Sequence, residues 1–311
     1  MKTKYSEEDF IVEEVPLERD LTQKPAEESA YAYFLLEKKD WDTPRLVDEI
    51  SRRLRINRKS IGYAGNKDRK AITKQRISIP LEAVPDVKEV EHLSINGCSF
   101  KFLGYAKERI TLGDLKGNKF VITVRQIDEP FDVEAGKIRN YFGEQRFGKE
   151  NINVALGKTI IKKEFDKTCS LLGKKAEGKN YVGALKDVDS RILRLYVNAY
   201  QSWLWNEVAK KVDTADVLEL VGFLTEIKDV KVQELYEKLM VKDRIKKEDF
   251  LIKQFKEISS EGGTRKLYVQ VMNLTSKWEK DEIFDGTYKC IVSFALEKGC
   301  YATEVVKALF E

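Results

Sequence analysis

Runs of alternating apolar side chains bracket a long central stretch that lacks this alternation, and that arrangement admits few architectures. Apolar residues recur at every second position from Phe10 to Val12 and from Tyr31 to Leu35. They do so again at Ile77 and Ile79, at Cys98, Phe100 and Phe102, and at Phe120, Ile122 and Val124. A period of two marks strands with one buried face, and so many of them point to a substantial, largely antiparallel sheet. Between about Lys149 and Ser260 the spacing becomes helical, most clearly from Ser190 to Val208, where Leu193, Val197, Tyr200 and Leu204 form one stripe. After Gly262 and Gly263 alternation returns at Leu267, Val269 and Val271 and at Cys290, Val292 and Phe294, before a last helix near Val305 to Leu309. The simplest reading is an α+β protein. Residues 1–150 and 261–311 form a sheet domain, interrupted by a mostly helical insertion at residues 151–260.

One early helix is legible in detail. Asp42 can cap it, Pro44 suits its first turn, and Leu46, Val47, Ile50 and Leu54 repeat at helical spacing. This helix delivers the chain to a glycine-containing loop.

Composition narrows the chemistry. Apolar residues at 42% and charged residues at 35% suit a folded chain, and a net charge of +4 is too small to name a partner. Local clustering says more: Arg52, Arg53, Arg55, Arg58 and Lys59 precede Lys67, Arg69, Lys70, Lys74 and Arg76. Such a surface fits phosphate contact as well as it fits an ordinary solvated face. No apolar run reaches the roughly 20 residues that cross a bilayer, and the start MKTKYSEEDF is no signal peptide, so a cytoplasmic protein without a membrane partner is expected. Cys98, Cys169, Cys290 and Cys300 lack Cys-x-x-Cys spacing and read as reduced thiols. His92 is the sole histidine and reads as a surface or turn residue, which leaves catalysis to carboxylate, lysine, tyrosine or serine.

The stretch Ile61 to Ile79, IGYAGNKDRKAITKQRISI, has the composition of a functional loop. Gly62 and Gly65 permit tight turns and close backbone approach, and a single acid, Asp68, stands among Lys67, Arg69 and Lys70. Nearby cations favour the ionised carboxylate that nucleophilic attack requires. A surface turn with ordinary ion pairs satisfies the same spacing. The glycine and lysine spacing is wrong for a P-loop.

GYAGNKDRKAITKQ closely resembles the active-site motif of TruD-type tRNA pseudouridine synthases, in their archaeal-like form. Further segments resemble the family in the same order: KYSEEDFIVEE, LKGNKFVITVR, NYFGEQRFG, AYQSWLWN, GGTRKL and FALEKGCYAT, spanning Lys4 to Thr303. The resemblance implies a pseudouridine-synthase-like sheet domain with an insertion, and an isomerase that converts uridine to pseudouridine in tRNA, mainly at position 13. It implies no cofactor and no metal, and a flipped base held in a cationic cleft.

Carried over by position, the resemblance makes Asp68 the nucleophile and pairs Lys4 with it. Phe10 matches the aromatic residue of the opening segment, a pocket wall or simply core. Asn118 and Phe120 match the family's Asn-x-Phe segment, where an amide edge and an aromatic face suit uracil. From spacing alone they are a turn residue and the start of a buried strand. Lys67, Arg69, Thr73 and Gln75 are expected to position the loop or a phosphate. Arg146 lies in NYFGEQRFG, a hinge or an RNA-facing turn, and Arg265 in GGTRKL has a structural role or reaches RNA. Tyr200 and Leu204 read as core.

Glu297 stands where the family commonly has proline, Cys300 where it has serine, and Val221-Gly222 where a proline-glycine turn is usual. Two other functions fit parts of the pattern: an RNA-binding protein without chemistry, and a hydrolase using paired carboxylates among Glu7, Glu8 and Asp9, a cluster that reads more simply as a solvated turn.

Overall fold

The computed structural model describes residues 1–84 and 86–311. Its strands are β1 (Phe10–Pro16), β2 (Tyr31–Lys39), β3 (Gly62–Tyr63), β4 (Ile72–Pro80), β5 (Cys98–Ala106), β6 (Leu115–Ile127), β7 (Ile138–Arg139), β8 (Val217–Leu220), β9 (Gly263–Lys266), β10 (Tyr268–Val269), β11 (Met272–Lys280) and β12 (Tyr288–Glu297). Its α-helices are α1 (Thr43–Leu54), α2 (Lys88–Glu91), α3 (Ile152–Ile161), α4 (Phe165–Leu171), α5 (Tyr181–Lys186), α6 (Ser190–Ala209), α7 (Val230–Asp243) and α8 (Ala302–Phe310).

Two compact units emerge, one of residues 1–136, 270–302 and 309–311, the other of residues 137–269 and 303–308. They divide at 136/137 and 269/270, whereas the apolar pattern suggests joints near 150 and 260. Pairing explains the difference. Tyr268 and Val269 pair with Arg139 and Ile138, which ties both flanks of the helical region into the second unit. The strand expected at residues 267–271 is likewise corrected. Leu267 is buried in the second unit, and the long strand starts at Met272 and carries an irregularity before Thr275. Asn273 there adopts φ 54°, a left-handed conformation that alternation cannot reveal.

The first unit is built on one sheet of order β11-β12-β6-β1-β4-β2-β5, with β3 pairing β4. β1 runs parallel to β4, and every other pairing is antiparallel. Strand alternation puts Phe34, Leu36, Ile77, Ile79 and Phe100 on a face that α1 covers with Leu46, Val47 and Ile50. Burying each such side chain stabilises the fold by about 1.5–3 kcal/mol. Asp42 caps α1 by accepting from the Arg45 amide at 2.9 Å, and Arg55 ends it in a left-handed conformation at φ 56°.

The second unit packs α3 against α6, whose Leu193, Val197, Tyr200, Leu204 and Trp205 are buried. Two short strand pairs, β7 with β10 and β8 with β9, belong to it.

Candidate active site

β1 lies between β6 and β4, and the loop entering β4 carries Asp68. Register brings several of the expected site residues to one level of the sheet: Val12 faces Phe120 on one side and Thr73 on the other, and Glu14 faces Asn118. With a period of two, Phe10, Val12 and Glu14 share a face with Asn118, Phe120, Thr73 and Gln75.

At this level the contacts run from residue to residue. Lys4 Nζ donates to Asp68 Oδ2 at 2.7 Å, and the Asp68 side chain is 40% exposed. The same ammonium sits 4.0 Å from the centroid of Phe10, which meets Phe120 edge to face at 6.2 Å. Phe120 in turn packs on Phe294 at 5.5 Å. Lys4 is not a frayed terminus. Lys2 exchanges backbone hydrogen bonds with Arg125, and Lys4 adopts φ 55°, a conformation that costs a lysine energy.

Beneath the loop the sheet face is polar. Lys67 turns its ammonium inward to Glu14, at 2.8 Å, with both side chains nearly inaccessible. Thr43, the first residue of α1, donates to Gln75 Oε1 at 3.0 Å and accepts from the Lys67 amide at 2.9 Å. Gln75 also donates to the Gly65 carbonyl at 3.2 Å. Lys38, wholly buried at the end of β2, donates to the carbonyls of Trp41, Asp68 and Lys67. Two buried polar atoms of this region, Thr73 Oγ1 and Asn118 Oδ1, have no hydrogen-bond partner among the described residues. Leaving such atoms unpaired costs about 1–3 kcal/mol each unless a ligand satisfies them.

Other candidates have different surroundings. Arg69 pairs with Asp40 at 2.8 Å in the open, beside a cavity of about 550 Å3 lined by Trp41, Arg45 and Asn96. Arg146 and Arg265 belong to the second unit. There Arg265 donates to the Asn140 carbonyl at 2.8 Å and lies 4.0 Å over Phe142, and Arg146 contacts Ser202 at 3.4 Å and the Phe142 ring at 5.8 Å.

The acidic cluster at residues 7–9 does form a turn with Glu8 exposed, but Asp9 departs from the solvated reading. Asp9 is buried and held by Arg125 at 2.8 Å, and Arg125 also reaches Asp281 at 3.0 Å. Glu8 pairs with Lys39. Gly62 is needed for close approach and not for a turn: an added Cβ would lie 2.4 Å from both the Ile110 carbonyl and the Ser78 hydroxyl. His92 is exposed and ends α2. Among the described residues no helix is long and apolar enough to cross a membrane, and no group of three or more His, Cys, Asp and Glu is placed to hold a metal ion.

Lys38, Glu14 and Thr43 are the residues that sequence reasoning missed. Lys38 and Glu14 did leave a signal, since each follows two apolar residues in the inward phase of its strand: Phe34, Leu36, Lys38 and Phe10, Val12, Glu14.

The fold is that of a solved protein: a Methanosarcina mazei crystal structure described as a tRNA pseudouridine synthase D superposes with a TM-score of 0.74 at 24% identity, covering 99% of this chain and 93% of that one. A family model described as tRNA pseudouridine synthase D (TruD) matches residues 1–177, 169–216 and 209–309. Among curated relatives named "Probable tRNA pseudouridine synthase D", that of Methanosarcina acetivorans is 26% identical over 408 aligned positions, covering 96% of this chain and 90% of that protein. The Thermococcus onnurineus protein is 40% identical over 176 positions, covering 53% of this chain and 40% of its own length. The sheet is that of an α+β protein, and the family model spanning nearly the whole chain makes it an enzyme of the isomerase class. The chain belongs to the tRNA pseudouridine synthase D (TruD) family.

Proposed function

We propose that the protein isomerises a uridine of tRNA to pseudouridine at position 13, in the cytoplasm, with Asp68 as nucleophile on a base flipped from its stack. The observation that carries this reading is the ion pair of Lys4 with Asp68, set against Phe10 and Phe120.

The isomerisation breaks the bond from C1′ to N1, turns the uracil and joins C1′ to C5; C5 gives up its hydrogen as a proton and N1 takes one up. A base cannot turn within a helical stack, so the uridine must leave it. Asp68 serves either by attack on the sugar carbon or by attack on the uracil ring, and both routes return the carboxylate unchanged. The Lys4 ammonium holds the carboxylate in one orientation through a charge-assisted bond. Phe10 and Phe120 supply apolar walls, and the unpaired Asn118 Oδ1 matches the N3–H of uracil.

The test uses tRNA carrying tritium at uridine C5. The unaltered protein releases tritium, and Asp68→Asn releases none while its tRNA affinity stays within about tenfold, because phosphate contacts dominate binding. Turnover by Asp68→Asn rejects the nucleophile. A transcript with cytidine at position 13 that still reacts rejects the position. Free uracil among the products marks a hydrolase instead.

A further inference from the structure

Lys38 is fully buried, yet among the described residues no carboxylate lies within ion-pair distance of it. Its three donors go to main-chain oxygens: Trp41 at 2.5 Å, Asp68 at 3.0 Å and Lys67 at 3.4 Å. An ammonium removed from water without a counter-ion is expensive, and a methionine of similar length would fill the space without that cost. What the ammonium gains is specific. The three carbonyls belong to the turn between β2 and α1 and to the loop that carries Asp68, two segments that must be held together for Asp68 to keep one position against Lys4.

We infer that Lys38 is a positioning residue for Asp68: its ammonium gathers the carbonyls of Trp41, Lys67 and Asp68, fixes the loop from beneath and places a positive charge behind the carboxylate. This inference rests on the reading of Asp68 as the nucleophile and deepens it.

The ionisable groups that bear on Lys38 agree with this role. Burial pushes its ammonium down to about 8, opposed by the charge of Asp68 and, less strongly, by Cys98 on β5 and by Asp42 at the head of α1, while Lys67 adds to the lowering. Burial also pushes the Cys98 thiol up to about 11, so Cys98 opposes the lowering only once it ionises, and where Lys38 titrates the opposing charge is that of Asp68 and Asp42. The loop is therefore pinned by a charged amine at neutral pH and loses that charge as pH rises through about 8.

The experiment is a single-turnover rate on tRNA, measured from pH 6 to 9 for the unaltered protein and for Lys38→Met, with tRNA affinity measured alongside. The expected result is a rate lowered ~100-fold at neutral pH, as for a displaced nucleophile. Affinity should remain within about tenfold. The fall in rate near pH 8 should be present in the unaltered protein and absent from the variant. A full rate in Lys38→Met overturns the inference. So does a lowered rate with the pH profile unchanged, which is what mere structural support would give. If Lys38→Met does not fold, the Lys38 amine is titrated in the unaltered protein by carbon-13 NMR of labelled lysine, and a rate that stays constant through that titration overturns the inference. Asp68→Asn separates the two readings. An active Asp68→Asn removes the nucleophile assignment, whereas an inactive Asp68→Asn beside a fully active Lys38→Met removes only the role of Lys38.

Discussion

Lys67 Nζ lies 2.8 Å from Glu14 Oε2, and the two side chains are 7% and 1% exposed. The lysine immediately before Asp68 therefore points into the sheet. Glu14 also accepts from the Arg76 amide at 3.3 Å, which links β1 to β4 beneath the loop. Removing one partner leaves a charge buried alone, so Glu14→Gln should lower stability by roughly 3–5 kcal/mol. Replacing both as Glu14→Leu and Lys67→Met should cost much less. Urea unfolding of the single and double variants checks this, and a double loss equal to the sum of the single losses would mean that the pair is not coupled.

Lys4 holds the other side of Asp68. Its left-handed backbone and its contact with Phe10 together aim the ammonium at the carboxylate. Lys4→Met keeps length and apolar contact but loses the charge. The turnover rate should drop by ~10²–10³-fold, the range typical for removal of a preorganised charged donor. Affinity for tRNA should stay within about tenfold. A tritium-release assay with a parallel binding measurement checks both, and an unchanged rate would remove Lys4 from the chemistry.

Much of this arrangement is legible in the sequence. The alternation at Phe34, Leu36, Ile77 and Ile79 placed strands correctly because a half-buried sheet imposes a period of two, and Asp42-Thr43-Pro44 marked the start of α1 because capping chemistry is local. The meaning of Lys67 was not legible. A loop has no period, so its sequence could not tell an inward lysine from the outward Arg69. Asp9 was misplaced because its partners, Arg125 and Asp281, are distant in sequence. Lys38 and Glu14 occupied inward positions in plain view, but a charged residue in an apolar phase is easily taken for the end of a strand.

Gly117 tests the sheet beside Asn118. An added Cβ there would fall 2.1 Å from the Leu296 carbonyl oxygen, and main chain cannot swing aside as a long side chain can. Gly117→Ala should therefore spread β6 from β12 and lower stability by about 1–3 kcal/mol. Gly65→Ala is the control, since its Cβ would meet only the flexible end of Lys67, at 3.8 Å. Thermal unfolding of both variants is the measurement, and equal melting temperatures would mean that β6 and β12 are not so closely joined.

The basic segment after α1 separates into used and unused charge. Glu49 accepts from Arg52 at 2.7 Å and from Arg53 at 2.6 Å, and Asp48 forms an ion pair with Arg58 at 2.8 Å. Arg55 and Lys59 are exposed and have no ion pair among the described residues, so their charge is available to RNA phosphates. Each phosphate contact releases counterions and adds about one to the slope of log affinity against log salt. Reversing both residues to glutamate should weaken tRNA binding at low salt and flatten that slope, whereas reversing Arg52 should do less because its charge is already shared with Glu49. Binding isotherms across a salt series read both quantities. An unchanged slope in the Arg55→Glu, Lys59→Glu protein would place this surface away from the tRNA.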